Sequence, residues 1–123
     1  MPQHRLTPEL LILIAERFKA LGEPARLRLL NTLRDGEKTV SELVGATDLG
    51  QANVSKHLHL LYAAGLVVRR RDGAFVHYDI ADDRVYSLCE IMCDQLQATS
   101  DALRAHLPPS STLRAGRFTP SRV

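Results

Sequence analysis

The sequence predicts a mainly helical domain that carries one small β-hairpin. Three observations lead there. Apolar residues recur at helical spacing in five stretches, each bounded by a cap, a proline or a glycine. After Gly65 the pattern changes to the β-branched and basic run Leu66-Val67-Val68-Arg69-Arg70-Arg71, then the turn signal Asp72-Gly73, then an alternating segment from Phe75 to Ile80. Between Leu49 and Arg71 there is no acidic residue, while the same interval holds Lys56, His57, His59 and three arginines.

A chain of 123 residues suffices for one domain with a modest core. Apolar residues make up 45% and charged ones 24%, which is ordinary for a soluble globular domain. The net charge of +2 is too small to argue for nucleic acid, so only its placement argues. Two cysteines, Cys89 and Cys93, are no disulfide framework. No uninterrupted apolar run reaches the ~18 residues of a membrane span. The N-terminus lacks the basic-then-apolar order of a signal peptide, because Glu9, Glu16 and Arg17 interrupt the run Leu10 to Ala15. The expectation is a cytoplasmic protein with reduced thiols and no membrane partner.

The first helix starts at Thr7-Pro8-Glu9, a hydroxyl cap followed by proline and an acid at the positive dipole end. It should run to about Leu21. Its residues Leu10, Leu11, Leu13, Ile14, Phe18 and Leu21 cover more than one stripe, a face too wide for a small domain to bury alone, so part of it should meet another chain. Gly22-Glu23-Pro24 breaks the chain. A second helix follows from Ala25 to Leu33, with Leu27, Leu30 and Leu33 expected inward and Arg26, Arg28 and Arg34 outward, and Asp35-Gly36 ends it. Thr39-Val40-Ser41-Glu42 is a capping box for a short third helix to about Ala46. Thr47-Asp48-Leu49-Gly50 then has the length of the turn in a helix-turn-helix.

The fourth helix lies within Leu49 to Leu66. Val54, Leu58 and Leu61 form its apolar stripe, and Ala52, Ser55, Lys56 and His59 the opposite, polar or small face. Such a face suits the DNA major groove. The hairpin after it is then a wing that brings Arg69, Arg70 and Arg71 near the phosphate backbone, although alternation prevents all three from pointing the same way. Asp82 or Asp83 caps a last long helix to about Leu107, with Val85, Cys89, Met92, Leu96 and Leu103 as its stripe, and Pro108-Pro109 stops it. The element order is α-α-α-α-β-β-α, a winged helix-turn-helix with extra helices at both ends. Residues 1–7 should be a flexible N-terminus, 8–107 the domain, and 108–123 a disordered basic tail.

At Phe18 to Leu30 (FKALGEPARLRLL), Gln51 to Val67 (QANVSKHLHLLYAAGLV) and Arg71 to Tyr78 (RDGAFVHY), the chain resembles the arsenical-resistance and metallothionein repressor family of ArsR/SmtB type. The resemblance covers about residues 10 to 100, with the segments in the family's order and spacing. It implies a homodimer paired through the first and last helices, with two recognition helices entering successive major grooves of an imperfect palindrome in double-stranded DNA. It also implies repression of an operator until an inducer releases the DNA. Carried over by position, the DNA-contact candidates are Gln51, Asn53, Ser55, Lys56 and His59, with Arg69, Arg70 and Arg71 in the wing. Gln51 can pair bidentately with adenine, and Ser55 and Lys56 suit phosphate. Gly50 departs from the serine the family often carries, which removes a side-chain cap. His57 falls at the apolar edge and is expected to be a hydrogen-bonded structural residue.

The family's thiolate site on the short third helix corresponds to Thr39-Val40-Ser41, and hydroxyls are poor ligands for soft metals. Its zinc site on the last helix is also incomplete: Asp82 and Asp83 are present, but Val85 stands about where a histidine would be. What remains is Cys89 and Cys93, whose i, i+4 spacing puts two thiols about 6 Å apart on one helical face. They could take trivalent arsenic, another thiophilic ion, or a reactive sulfur or oxidant signal. They could equally pack as small hydrophobes. A disulfide within one helix is geometrically poor, so a redox switch would bond across the dimer.

The sequence therefore reads as a dimeric winged-helix repressor that needs no cofactor to bind DNA and is released by a thiophilic ligand at Cys89 and Cys93. Two other readings stand beside it: an inducer-independent repressor with structural cysteines, and a winged-helix protein-interaction module. No catalytic residue is assigned, since no phosphate loop, nucleophile–base pair or complete metal triad occurs.

Overall fold

The structure is a computed structural model that describes residues 3–106. The end of the last helix at Leu107 and the tail 108–123 lie outside the described residues, as do the first two residues of the N-terminal segment. The chain forms two compact units, one through Ala81 and one beginning at Asp82.

In the first unit, α1 (Pro8–Leu21) begins on Thr7, whose hydroxyl accepts from the Leu10 amide at 3.1 Å. No residue of α1 is buried; Leu11, Ile12, Leu13 and Phe18 are all exposed in the single chain. Helix α2 (Pro24–Thr32) starts on Glu23 with proline at its first position and passes into a 3₁₀ turn, Leu33–Asp35, closed by Gly36 in the left-handed φ region at +116°. The helix α3 (Val40–Thr47) carries the expected capping box: the Thr39 hydroxyl accepts from the Glu42 amide at 3.2 Å, and the Glu42 carboxylate accepts from the Thr39 amide at 2.8 Å. The bond from the Thr39 amide, and then donation from the Thr39 hydroxyl to the same carboxylate, hold the Glu42 acid below its usual pKa.

Two expectations for α2 need correction. Leu29, not Leu27, is fully buried with Leu30 and Leu33, while Leu27 is half-buried. Arg26 and Arg28 are not solvated outward. Both are half-buried and spend their guanidinium donors on the ends of other helices, because a helix C-terminus leaves carbonyl oxygens unpaired.

The helix α4 (Gln51–Ala63) buries Val54, Leu58 and Leu61 completely, the stripe that its 3.6-residue period predicts. Gly65, at φ +77°, ends it: a left-handed residue there costs glycine nothing, and the Leu66 amide returns to the Leu61 carbonyl at 2.9 Å. The hairpin follows as β2 (Val67–Asp72) and β3 (Phe75–Ile80). Asp72 pairs with Phe75, so the two loop residues are Gly73 and Ala74, one position later than the Asp72-Gly73 signal suggests. Gly73 alone has positive φ (+64°), the pattern of a type II′ turn with glycine first.

The hairpin is not two-stranded. Lys38–Thr39 forms a short strand, β1, which precedes the hairpin strands and pairs antiparallel with β3 through Lys38–Tyr78 and Thr39–His77. The sheet order is β1-β3-β2. One sheet face carries the buried Val67 and Tyr78 into a core built from Leu29, Leu30, Leu33, Leu43, Val54, Leu58, Leu61 and Leu66. The three helices of the core therefore sit under a wing that is fixed to them along one edge.

The second unit is α5 (Val85–His106), 22 residues long. The Asp82 carboxylate accepts from the Arg84 amide at 2.9 Å and from its guanidinium, which holds the Asp82 pKa down at about 2. Val85 is buried and Cys89 half-buried, while Leu88, Ile91, Met92, Leu96 and Leu103 are exposed in the single chain. Among the described residues no helix is long and apolar enough to cross a membrane.

Candidate nucleic-acid interface

The recognition-helix geometry begins at the turn between α3 and α4. Asp48 adopts the left-handed conformation (φ 59°, ψ 17°), an uncommon one that aspartate tolerates better than most side chains. The chain reverses there without a glycine. Gly50 then caps α4 by its backbone alone: its carbonyl accepts from the Val54 amide at 2.9 Å, and no side chain covers the first turn. The opening amides of α4 are thus left for an external acceptor, and phosphate oxygens suit a helix start.

On the outward side, Gln51, Ala52, Asn53, Lys56 and His59 are exposed, and Ser55 is half-buried. The expected contact residues of α4 therefore share one accessible face with no carboxylate on it. Every one has a donor: two amides, a hydroxyl, an ammonium and an imidazole. The core side of the same helix is apolar, so the helix can lie on a groove without exposing its stripe.

Two arginines hold this arrangement from behind. Arg28 Nη1 donates to the Thr47 carbonyl at 3.1 Å, at the C-terminus of α3 where the turn begins. Thr47 is itself buried and donates its hydroxyl to the Leu43 carbonyl at 2.6 Å. Arg26 Nε donates to the Ala20 carbonyl at 2.6 Å, and its Nη1 lies 3.2 Å from His57 Nδ1. His57 is half-buried and hydrogen-bonded, in keeping with a structural residue. Burial first, then the charges of Arg26 and Lys56, lower its pKa.

The wing arginines separate as alternation requires. Arg69 shares the core-side face with Val67 and lies over the Tyr62 ring, 3.9 Å from its centroid. Arg70 faces the other way, where Nε donates to Glu37 Oε2 at 3.1 Å and Nη2 pairs with Oε1. This pairing lowers the Glu37 pKa, with the hydrogen bonds from Arg70 as the main cause. His77 Nδ1 stands 3.9 Å from the same carboxylate. Arg71, next to the turn, is exposed and has no side-chain partner among the described residues. Arg71 is thus the wing cation open to phosphate, and Arg69 and Arg70 are engaged by Tyr62 and Glu37.

Tyr62 and Glu37 were not singled out from the sequence. Glu37 precedes a two-residue strand that no periodicity reveals. Tyr62 lies one turn past the exposed contact candidates of α4 and gives no signal until the wing is folded back on it.

In α5, Cys89 is half-buried and Cys93 exposed, and both are free thiols one turn apart. No group of three or more His, Cys, Asp or Glu side chains is poised for a metal ion among the described residues. Two thiolates from one chain are fewer than a three-coordinate arsenic centre takes, so a complete site needs a ligand from elsewhere.

Residues 23–68 match the model of the bacterial regulatory protein arsR family. The homodimeric winged helix-turn-helix DNA-binding domain of Mb0332 from Mycobacterium bovis is 32% identical, with a TM-score of 0.67, over 76% of this chain and 89% of that one. The chain belongs to the arsR family. This arsR-family chain is also 39% identical over 84 residues to the "Transcriptional repressor SmtB homolog" of Synechocystis sp., covering 68% of this chain and 64% of the relative. It is 42% identical over 74 residues to the "Probable mercury resistance operon repressor" of Streptomyces lividans, covering 60% and 59%. The match thus spans under two thirds of the length of these two relatives. Both are named as repressors, not enzymes. The winged helix-turn-helix expected from the sequence is the fold found.

Proposed function

We propose that this chain is a homodimeric transcriptional repressor that binds an imperfect palindrome in double-stranded DNA and is released by a thiophilic ligand at Cys89 and Cys93. The observation that carries the DNA reading is the outer face of α4: Gln51, Asn53, Lys56 and His59 exposed together, with no acid among them, on a helix whose other side is fully buried. Gln51 and Asn53 read base edges, Ser55 and Lys56 anchor phosphate, and Arg71 adds a sequence-independent contact from the wing.

The dimer reading rests on unpartnered apolar residues. Leu11, Ile12, Leu13 and Phe18 on α1, and Leu88, Ile91, Met92 and Leu96 on α5, are too many exposed large side chains for a free monomer of this size. Pairing through these helices covers them and makes a two-fold reader for a two-fold site. The similarity to a homodimeric domain supports this.

The sensing reading rests on the two free thiols, one of them exposed, on the helix assigned to the dimer interface, and on the similarity to a mercury-operon repressor. A soft ion bound by thiolates of both subunits would shift the helices that set the spacing of the two readers, and so favour the DNA-free form. The test is release of a bound duplex titrated with arsenite, phenylarsenite, mercuric ion, persulfide and peroxide, on the native chain and on Cys89→Ser/Cys93→Ser. Release of the native complex by one of these, absent in the variant, supports the reading. No release of the native complex by any of them leaves an inducer-independent repressor, and equal release of the two proteins contradicts a site at Cys89 and Cys93.

A further inference from the structure

One guanidinium joins three helices behind the reading face. Arg26 stands on α2. Its Nε donates to the Ala20 carbonyl at 2.6 Å and its Nη2 to the Lys19 carbonyl at 3.4 Å, both at the C-terminal end of α1. Its Nη1 meets His57 Nδ1 on α4 at 3.2 Å. The far end of α4 is also set against α1: at Gly65 a Cβ would come 2.8 Å from Arg17 Nη2. Arg26 thus ties the middle of α4 to the end of α1, and the Arg17 side chain of α1 lies close to the turn that ends α4.

We propose that Arg26 is a positioning residue for DNA recognition, tying α4 to the end of α1 through a neutral His57 ring, so that protonation of this one imidazole releases the helix and weakens DNA binding. The inference rests on the DNA-binding reading above and adds to it a proton-sensitive control.

The chemistry of the two groups dictates the sign. A guanidinium has five N–H donors and no acceptor, and it does not deprotonate in a protein. Its partner at 3.2 Å must then be an acceptor, so Nδ1 carries no proton and the neutral ring bears its hydrogen on Nε2. A second proton turns Nδ1 into a donor and sets two cations against each other. The charged groups that meet His57 are Arg26 from α2, Lys56 on its own helix, and Glu23 at the start of α2. Arg26 and Lys56 oppose the proton and Glu23 favours it, while from α1 the ring's neighbour Arg26 receives only carbonyl oxygens. Burial and the two cations prevail, and the ring stays neutral at pH 7. As pH falls below the ordinary histidine value, the held form takes up its proton less readily than the released form, so acid shifts the balance toward release.

Lys56 and His59 lie beside His57 on the same helix, so a small rotation of α4 moves the reading face as a whole. His59 is exposed on the outward side of the same helix, in the native chain and in a His57 variant alike. The informative quantity is hence a difference between proteins. His57→Asn keeps an acceptor at the Nδ1 position and cannot titrate.

The experiment measures affinity for the duplex that the full native chain enriches from a random-sequence pool, from about pH 7.5 to about pH 5.5, the interval that brackets the ordinary histidine pKa. In parallel, the nitrogen chemical shifts of the histidines in the native protein report the His57 tautomer. The expected result is His57→Asn binding like the native chain at the upper pH, and a loss on acidification at least about fivefold greater in the native chain than in the variant, the lower end of ordinary coupling energies. Arg26→Lys, which cannot reach both carbonyls and the ring, binds weakly throughout and lacks the excess pH response. The expected tautomer is Nε2–H. Parallel pH profiles for the native chain and His57→Asn overturn the proposal, as does an Nδ1–H tautomer at neutral pH. If no duplex is enriched at all, the DNA-binding reading fails instead, and the tautomer still decides whether Arg26 holds a neutral ring.

Discussion

The guanidinium of Arg69 lies 3.9 Å from the centre of the Tyr62 ring, joining the wing to the last turn of the recognition helix. Arg69 sits opposite Tyr78 in the strand register, and hydrogen bonding with Tyr78 is the main reason its pKa is raised. An arginine stacked on the reading helix and bonded to the next strand acts as a strut. In the proposed complex it would set the angle at which Arg71 approaches the DNA backbone. Tyr62→Ala should therefore cost little stability, because both members of the cation–π pair are exposed. It should still weaken binding to all duplexes, specific or not. Chemical denaturation beside a gel shift separates the two effects.

Glu37 neutralises Arg70 on the opposite face of the wing. Glu37→Gln should leave that arginine free to approach phosphate and remove a carboxylate from the neighbourhood. Affinity for random-sequence DNA should rise, and the slope of log K against log salt should steepen by about one unit, the signature of one more neutralised phosphate. A fluorescence-anisotropy salt titration reads this directly. No such change is expected from Lys38→Gln in the adjacent strand if the effect belongs to the Glu37–Arg70 pair.

Gly65 combines a left-handed backbone with a close neighbour. It has φ +77°, and a Cβ would meet the Arg17 guanidinium at 2.8 Å. The left-handed conformation alone costs an alanine roughly 1–2 kcal/mol. Gly65→Ala should lower the unfolding free energy by about that amount, read from urea denaturation. Gly45, whose Cβ would meet nothing within 4 Å and which has no positive φ, should accept alanine with a small gain, about 0.5–1 kcal/mol, from helix propensity.

Leu58 is fully buried at the centre of the α4 stripe. Leu58→Ala should destabilise the domain by about 2–5 kcal/mol through lost burial and a cavity. Thr39→Ala, which removes the hydroxyl half of the capping box, should cost about 1 kcal/mol. The ratio of the two, read from urea midpoints at constant slope, tests whether the core under α4 outweighs the caps that start the helices.

What was legible in the sequence was whatever local chemistry dictates. The stripe Val54, Leu58, Leu61 follows from helical period, the Thr39–Glu42 box from three-residue spacing, and the hairpin from Gly73 between alternating strands. The residues read wrongly are those whose partners are distant in the chain. Arg26 and Arg28 look like a solvated face, because charged residues three or two apart on a short helix usually are. Their partners, His57 and the Thr47 carbonyl, lie 31 and 19 residues away. The strand Lys38–Thr39 is two residues long and has no pattern of its own; only its pairing with Tyr78 and His77 defines it. In the candidate interface, the exposure of Gln51, Asn53, Lys56 and His59 follows from the helical period. The division of labour among Arg69, Arg70 and Arg71 depends on Tyr62 and Glu37, and no spacing rule supplies that.

The central claim is that the outer face of α4 reads DNA, with Gln51 reading base and Lys56 holding phosphate. The most direct measurement is the affinity of the native chain, Gln51→Ala and Lys56→Ala for an enriched duplex and for its scrambled counterpart, at several salt concentrations. Gln51→Ala should lose about 1–3 kcal/mol on the enriched duplex and little on the scrambled one. Lys56→Ala should weaken both alike and reduce the salt slope by about one unit. Equal binding by the native chain and both variants, on both duplexes at physiological salt, would contradict the account.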